Sequence, residues 1–249
     1  MLAKSNQKLR EVMRNPSSLA QNVEDAEKSP VRATEVRLLV VAGLTAAVIV
    51  IATATFPAVD IALARRLMLA PDSALRPAFY ALREIFRLTP FAVLAGVALW
   101  LMAVAFRGAI GSAVAARRIV LVAALFAVGP GLLVNAGLKT YAHRPRPIQT
   151  AEVAHGEMSF RPFYRFDGAC QTNCSFSSGE AASAFWTTAP ALLAPPALRV
   201  AAVGAALAFG LLASAFRMFL GAHFLSDIAF SALAVILLTL AARRLLPLA

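Results

Sequence analysis

Arg217-Met-Phe-Leu-Gly-Ala-His223-Phe-Leu-Ser-Asp227 separates two long apolar runs, and it contains an arginine, a histidine and an aspartate among few other polar groups. His223 and Asp227 are four residues apart, so they would share one face of a helix. A carboxylate there can fix the imidazole tautomer and leave the other ring nitrogen free to attack. Arg217 adds a permanent cation whose planar fork suits phosphate. A capped helix with a hydrogen-bonded histidine at a membrane interface is the alternative interpretation.

The composition is that of an integral membrane protein. The chain has 249 residues, of which 59% are hydrophobic, and a mean hydropathy of +0.71. Its net charge of +11 is carried mostly by arginines that lie between apolar runs. We therefore expect lipid headgroups and anionic lipid substrates as partners, and no nucleic acid.

Six apolar segments are each near the length of about 20 residues that crosses the hydrocarbon core. The predicted fold is all-α: an integral membrane six-helix bundle with a long extracytoplasmic loop, about 139–177, between helices three and four. Residues 1–36 are polar and predict a cytoplasmic tail, and 37–249 then form one six-span membrane domain. The predicted spans are 38–56, 88–106, 119–138, 178–194, 199–216 and 223–242.

The connector between the first two spans, residues 57–87, is rich in arginine. Its segment 74–86 could form an amphipathic helix at the membrane interface. A solvated connector with one short helix is the alternative.

Polar residues at four span ends should meet on one side of the membrane. Lys139 ends span three, the Ser-Ser-Gly-Glu run that finishes at Glu180 begins span four, Arg217 ends span five and His223 begins span six. With six spans, all four ends share one face, which is the outer face if the N-terminus is cytoplasmic. The distribution of Lys and Arg favours that orientation slightly.

Two further motifs accompany the first one. Lys139 and Arg146 are separated by six residues, and Pro147 follows. Taken alone, basic residues at a span end usually anchor the helix at the interface. Ser178 and the backbone N–H groups near Gly179 could hold a phosphate at a helix N-terminus. Taken alone, the same residues also fit an ordinary helix cap.

In order and spacing, the three motifs resemble the type-2 phosphatidic acid phosphatase superfamily: Lys-x6-Arg-Pro, then Ser-Gly and a polar residue, then Arg-x5-His-x3-Asp. The resemblance implies that His223 is a nucleophile that forms a phosphohistidine and that Asp227 orients it. It also implies phosphoryl transfer without a metal or another cofactor. The phosphate ligands that it implies are Lys139, Arg146, Ser178, Gly179 and Arg217.

The chain departs from the family pattern at two positions. Glu180 follows Ser-Gly where the family usually has a histidine that protonates the leaving alcohol. A glutamate can do this if burial raises its pKa, but three nearby cations would lower it. Phe216 replaces the serine that commonly precedes the motif arginine, which removes one hydroxyl.

The segment from Cys170 to Glu180 is similar to a bacterial subgroup that includes lipid A 4′-phosphatases. The resemblance implies a phosphatase of a membrane lipid phosphate, lipid A-type glycolipid favoured, at the periplasmic face of the inner membrane, with both termini cytoplasmic. Phosphatases of undecaprenyl diphosphate or phosphatidylglycerophosphate, and a weakly catalytic lipid-phosphate binder, are alternatives. In a periplasmic loop, Cys170 and Cys174 would be expected to form a disulfide, with two free thiols as the alternative. The sequence does not predict the oligomeric state.

Overall fold

The structure is a computed structural model that describes residues 30–243. Within this range it is helical and loop-forming, without a named β-strand, so the predicted all-α fold is confirmed. The predicted N-terminal tail lies outside the described residues as far as residue 29. The longer helices are α1 (Pro30–Thr55), α2 (Ala58–Leu67), α3 (Arg76–Phe106), α4 (Ser112–Phe126), α5 (Gly179–Trp186), α6 (Pro196–Phe219) and α7 (Leu225–Ala242).

Several helices have the length and apolar composition of membrane spans. Large apolar side chains such as Val48 and Leu132 face outward, as expected for a surface in contact with lipid. The connector segment 74–86 is not a separate interfacial helix, because α3 begins at Arg76 and continues through it. Five helical stretches within residues 30–243 could cross a membrane: Thr34–Thr55, Arg76–Phe106, Ser112–Tyr141, Pro196–Phe219 and Leu225–Ala242.

The predicted fourth span, 178–194, is divided into α5 and a short helix, Thr188–Ala191. The Thr187 and Thr188 hydroxyls donate to carbonyl oxygens one turn earlier, at 2.6 and 2.7 Å. Helix α5 packs among α3, α6 and α7, and Trp186 at its end is fully buried. The segment is therefore a central element without a lipid-facing side, and the count of six crossings stays a prediction.

Helix α4 continues into a π-helix, Ala127–Leu138, and ends with the α-helical turn Lys139–Tyr141. Pro130 lies inside the π-helix, and it cannot donate a backbone hydrogen bond. The Asn135 side chain donates to the Pro130 carbonyl at 2.7 Å. A Cβ atom on Gly179 would lie 2.3 Å from Asn135 Oδ1, so glycine allows α5 to begin directly against the π-helix.

The long loop after Tyr141 is ordered by aromatic packing and by a disulfide. Phe176 contacts Phe163 at 5.5 Å and Phe230 of α7 at 5.0 Å between ring centroids. Cys170 and Cys174 are joined by a disulfide, with their Cα atoms 5.7 Å apart. These contacts hold the residues before α5 against the rest of the helical bundle.

Candidate active site

A polar cavity of about 240 Å³ lies where α3, α5, α6 and the helical turn Lys139–Tyr141 meet. Lys139, Arg146 and Arg217 all line it, although they belong to two motifs about 70 to 80 residues apart. We call this site the cationic cavity. Its lining residues are Tyr80, Arg83, Lys139, Arg146, Ile148, Asn173, Glu180, Arg217, Leu220 and Ala222.

The loop between α6 and α7 is held by a tight turn at Gly221. Gly221 has a φ of +68°, and a Cβ atom there would lie 2.4 Å from Met68 Sδ, so another side chain would be strained and crowded. The Ile148 N–H donates to the Gly221 carbonyl at 3.0 Å. This bond ties the loop that carries Arg146 to the loop that carries His223.

His223 is buried, and its environment specifies which ring nitrogen carries the proton. Nδ1 lies 2.7 Å from the Ser175 carbonyl oxygen, which can only accept, so Nδ1 donates and Nε2 keeps its lone pair. Burial lowers the pKa of His223 to about 4; the nearby carboxylate of Asp227 opposes this effect, and the positive charge of Arg217 adds to it. At neutral pH the imidazole is therefore uncharged and suited to act as a nucleophile or a base.

Asp227 lies beside the imidazole but makes its hydrogen bonds with other groups. Its Oδ2 is 3.7 Å from His223 Nδ1 and accepts from Ser175 Oγ at 2.5 Å and from the Phe224 N–H at 2.8 Å. Ser175 therefore contacts both residues, through its carbonyl and its hydroxyl. The carboxylate can still stabilise a positive charge on the ring.

Arg144 forms a second set of contacts behind Asp227. It is fully buried, and its guanidinium pairs with Asp227 and, at 2.8 Å, with Asp60 of α2. It also donates to Ser226 Oγ at 2.8 Å, while Asp60 accepts the Ser226 N–H at 3.0 Å. The ring of Phe224 lies 4.4 Å from the guanidinium carbon. We call Asp60, Arg144, Ser175, Ser226 and Asp227 the buried network.

Glu180, in the first turn of α5, is held by two arginines. Arg83 of α3 donates to it through Nε at 3.0 Å and through Nη2 at 2.6 Å. Arg217 Nε lies 3.5 Å from Glu180 Oε2, within ion-pair distance, yet it has no hydrogen-bond partner among the described residues. Both arginines favour the ionised carboxylate over the neutral acid.

Ser178 and Gly179 start α5, but neither residue lines the cationic cavity. Ser178 Oγ caps the helix by accepting from the Ala181 N–H at 3.3 Å. Gly179 lines a neighbouring cavity of about 210 Å³ together with Lys139 and Glu180. Ser177 Oγ is buried without a hydrogen-bond partner among the described residues.

Arg146 contacts the short loop that the disulfide closes. Arg146 donates to the Asn173 carbonyl at 2.9 Å and to Asn173 Oδ1 at 2.7 Å. The Cys170 N–H donates to the His143 carbonyl at 3.1 Å, so the disulfide segment packs against the loop that carries Arg146. No group of three or more His, Cys, Asp or Glu side chains within residues 30–243 could hold a metal ion.

The site residues that were not singled out from the sequence include Asp60, Arg83, Arg144 and Ser175. Arg144 lies inside the Lys-x6-Arg-Pro motif and Ser175 lies just before the Ser-Gly motif, so proximity to a motif was a usable signal. Asp60 and Arg83 lie in the connector, where an isolated acid and a run of arginines give no indication of their partners.

Comparisons with known proteins match the part of the chain that contains the three motifs. The PAP2 superfamily profile matches residues 120–248, which is just over half of the chain. A protein named lipid A 4'-phosphatase from Rhizobium leguminosarum is 39% identical over 153 residues, which cover 61% of this chain and 65% of that protein. No solved structure shows a significant match.

Two further relatives carry the same name. The protein from Rhizobium etli is 40% identical over 152 residues, covering 60% of this chain and 58% of that protein. The protein from Francisella tularensis subsp. novicida is 36% identical over 125 residues, covering 49% and 55%. The chain thus matches 55–65% of the length of these curated relatives.

Proposed function

Because this chain belongs to the PAP2 superfamily, we propose that it is a metal-independent phosphatase that removes a phosphate monoester from a membrane lipid. The observation that carries the proposal is the convergence of Lys139, Arg146 and Arg217 in one cavity close to His223. Phosphoryl transfer depends mainly on in-line placement and on neutralising the oxygens of the transferred group. Three cations can supply that neutralisation.

In the proposed first step, Nε2 of His223 attacks phosphorus while the bond from phosphorus to the ester oxygen breaks. The ring then carries phosphate and a positive charge, which Asp227 stabilises through its position 3.7 Å from Nδ1. In the second step, water attacks the phosphohistidine, and the N–P bond breaks to release orthophosphate. The sum is one ester and one water converted to one alcohol and one orthophosphate.

The leaving alkoxide needs a proton, and we propose that Glu180 supplies it. Glu180 lines the cationic cavity, so it is near the expected position of the ester. Arg83 and Arg217 favour its ionised form in the free protein. We propose that a bound phosphate dianion reverses this preference, so that Glu180 takes up its proton only in the complex.

We propose a lipid A-type glycolipid phosphate as the substrate, and the support is the name shared by three relatives at 36–40% identity. The proposed location is the periplasmic face of the inner membrane, with both termini in the cytoplasm and 37–249 as the membrane domain. Undecaprenyl diphosphate and phosphatidylglycerophosphate remain the alternative substrates.

A direct experiment is to incubate the purified full-length protein in detergent with each of these three lipids and to measure released orthophosphate. The His223→Ala variant is the control for contaminating phosphatases. We expect the glycolipid to give the highest kcat/KM and the variant to give none. Binding of the lipids without release of orthophosphate by the wild-type protein would favour the weakly catalytic binder instead.

A further inference from the structure

The two departures from the family motif both contact helix α3. Phe216 replaces the usual serine, and its ring lies 4.9 Å from Phe79 and 5.0 Å from Phe86 between centroids. Arg83 lies between those two phenylalanines in α3, and it pairs with Glu180, which replaces the usual histidine. Phe216 thus holds α3 against α6 at the level of Arg83.

Arg83 adds a fourth cation to the cationic cavity. It lines this cavity with Lys139, Arg146 and Arg217, yet it belongs to none of the three motifs. The Arg83 side chain is 26% exposed, so it has room to change its partner. The single carboxylate in the lining is Glu180.

Glu180 holds the arginines as an anionic ligand would. Its Oε1 accepts from Arg83 Nη2 at 2.6 Å, and its Oε2 lies 3.5 Å from Arg217 Nε. A phosphate presents oxygens of the same charge to the same forked donors. Exchanging one anion for the other keeps a partly buried guanidinium paired, which avoids the cost of leaving it alone.

We propose that Arg83 is a further ligand of the substrate phosphate, and that it pairs with Glu180 until the phosphate binds. On binding, Arg83 leaves the carboxylate and donates to phosphate oxygens. This inference rests on the proposed function, since it deepens the description of the same site. The exchange would also favour protonation of Glu180, because the bound phosphate removes its Arg83 partner and adds negative charge nearby.

Orthophosphate affinity tests the proposal, and it can be measured by calorimetric titration of the detergent-solubilised full chain. Arg83→Gln should weaken binding of orthophosphate by about 10- to 100-fold, the range for losing a charge-assisted contact. Glu180→Gln removes the competing anion and should tighten binding several-fold. Arg107→Gln, just beyond the other end of α3, is the matched control and should leave the affinity unchanged.

The double variant decides between a phosphate ligand and a mere partner of Glu180. With Glu180→Gln already present, a ligand role predicts that Arg83→Gln still weakens orthophosphate binding by at least 10-fold. If the added substitution has no effect there, or if Glu180→Gln alone weakens binding, the proposal is wrong. Should Arg83→Gln fail to fold, Arg83→Lys in the same background must bind phosphate more tightly than Arg83→Ala.

Failure of the proposed phosphatase function can be distinguished from failure of the Arg83 assignment. Calorimetry reports binding whether or not any lipid is hydrolysed. A wild-type protein that binds orthophosphate through Arg83 but releases none from the lipids would reject the phosphatase activity and leave the ligand assignment intact.

Discussion

The buried network and the cationic cavity are both built from charged side chains next to His223, but their charges are matched differently. In the buried network two carboxylates, Asp60 and Asp227, share the guanidinium of Arg144, and each charge is satisfied by further hydrogen bonds. In the cationic cavity four cations line the walls with one carboxylate, that of Glu180, which pairs with Arg83 and Arg217. Excess positive charge in a water-accessible cavity favours an anionic ligand, whereas the buried network is complete without one.

The comparison separates residues that hold the site from residues that act on the ligand. Arg144 and Arg146 are two positions apart, yet one is fully buried between carboxylates and the other faces the cavity and contacts Asn173. The difference teaches that a basic motif can contain both kinds of residue. The predictions below test this division.

The largest expected effect is the loss of the nucleophile. His223→Ala should lower kcat/KM for lipid phosphate by about 10³-fold or more, because the covalent step loses its reacting atom. Steady-state release of orthophosphate in detergent measures it, and size-exclusion chromatography checks that the variant is folded. Near-normal turnover by a folded variant would remove His223 from the mechanism.

The next effect concerns the leaving group. Glu180→Gln should slow hydrolysis of the natural lipid by about 10²–10⁴-fold, the usual contribution of general acid catalysis. It should slow p-nitrophenyl phosphate far less, since that leaving group needs little protonation. Parallel kinetics on the two substrates measure the ratio. Equal losses on both would mean that Glu180 is structural and that water or another residue protonates the alcohol.

A matched pair of substitutions tests the division directly. Arg144→Met leaves Asp60 and Asp227 as unpaired buried carboxylates, so the free energy of unfolding should fall by about 3–5 kcal/mol. Arg146→Met removes hydrogen bonds to Asn173 and should cost only about 1–2 kcal/mol. The order should be reversed for activity, measured at a temperature where both variants are folded. Arg146→Met should lose more activity than Arg144→Met, by about 10²–10³-fold relative to the wild-type protein.

The free energy of unfolding of both variants is measured in one detergent. Their kcat/KM values are measured below the melting temperature of the less stable variant. If Arg146→Met proves the less stable of the two, the assignment of the buried network as the structural element is wrong.

The smallest effect concerns pH. Burial lowers the pKa of His223 to about 4, below its ordinary value, so the neutral ring persists as pH falls through 6.5 and protonates only near pH 4. The decrease in kcat/KM that protonation of His223 causes should therefore occur near pH 4 and not near pH 6.5. The profile is measured after correction for the ionisation of the substrate phosphate. A histidine limb near pH 6.5 would show that the imidazole is more hydrated than the structure places it.

Local sequence properties were enough to predict much of the fold. Apolar runs of span length identified the helices that could cross a membrane, because hydropathy over about 20 residues is a local quantity. Motif spacing likewise identified Lys139, Arg217 and His223, which the structure brings to one region. The structure of the fourth segment, 178–194, was harder to predict, because an element buried among other helices need not have span length or a lipid-facing side.

By itself the sequence determined the helical class, the apolar stretches and the identity of the chemical groups. Only the tertiary structure decided their partners. Asp60 meets Arg144 across 84 residues, and Arg83 meets Glu180 across 97. Such pairs depend on how helices cross and on the burial of each charge, which no local pattern records. The same reason explains why Arg144 and Arg146, nearly adjacent in one motif, have different surroundings.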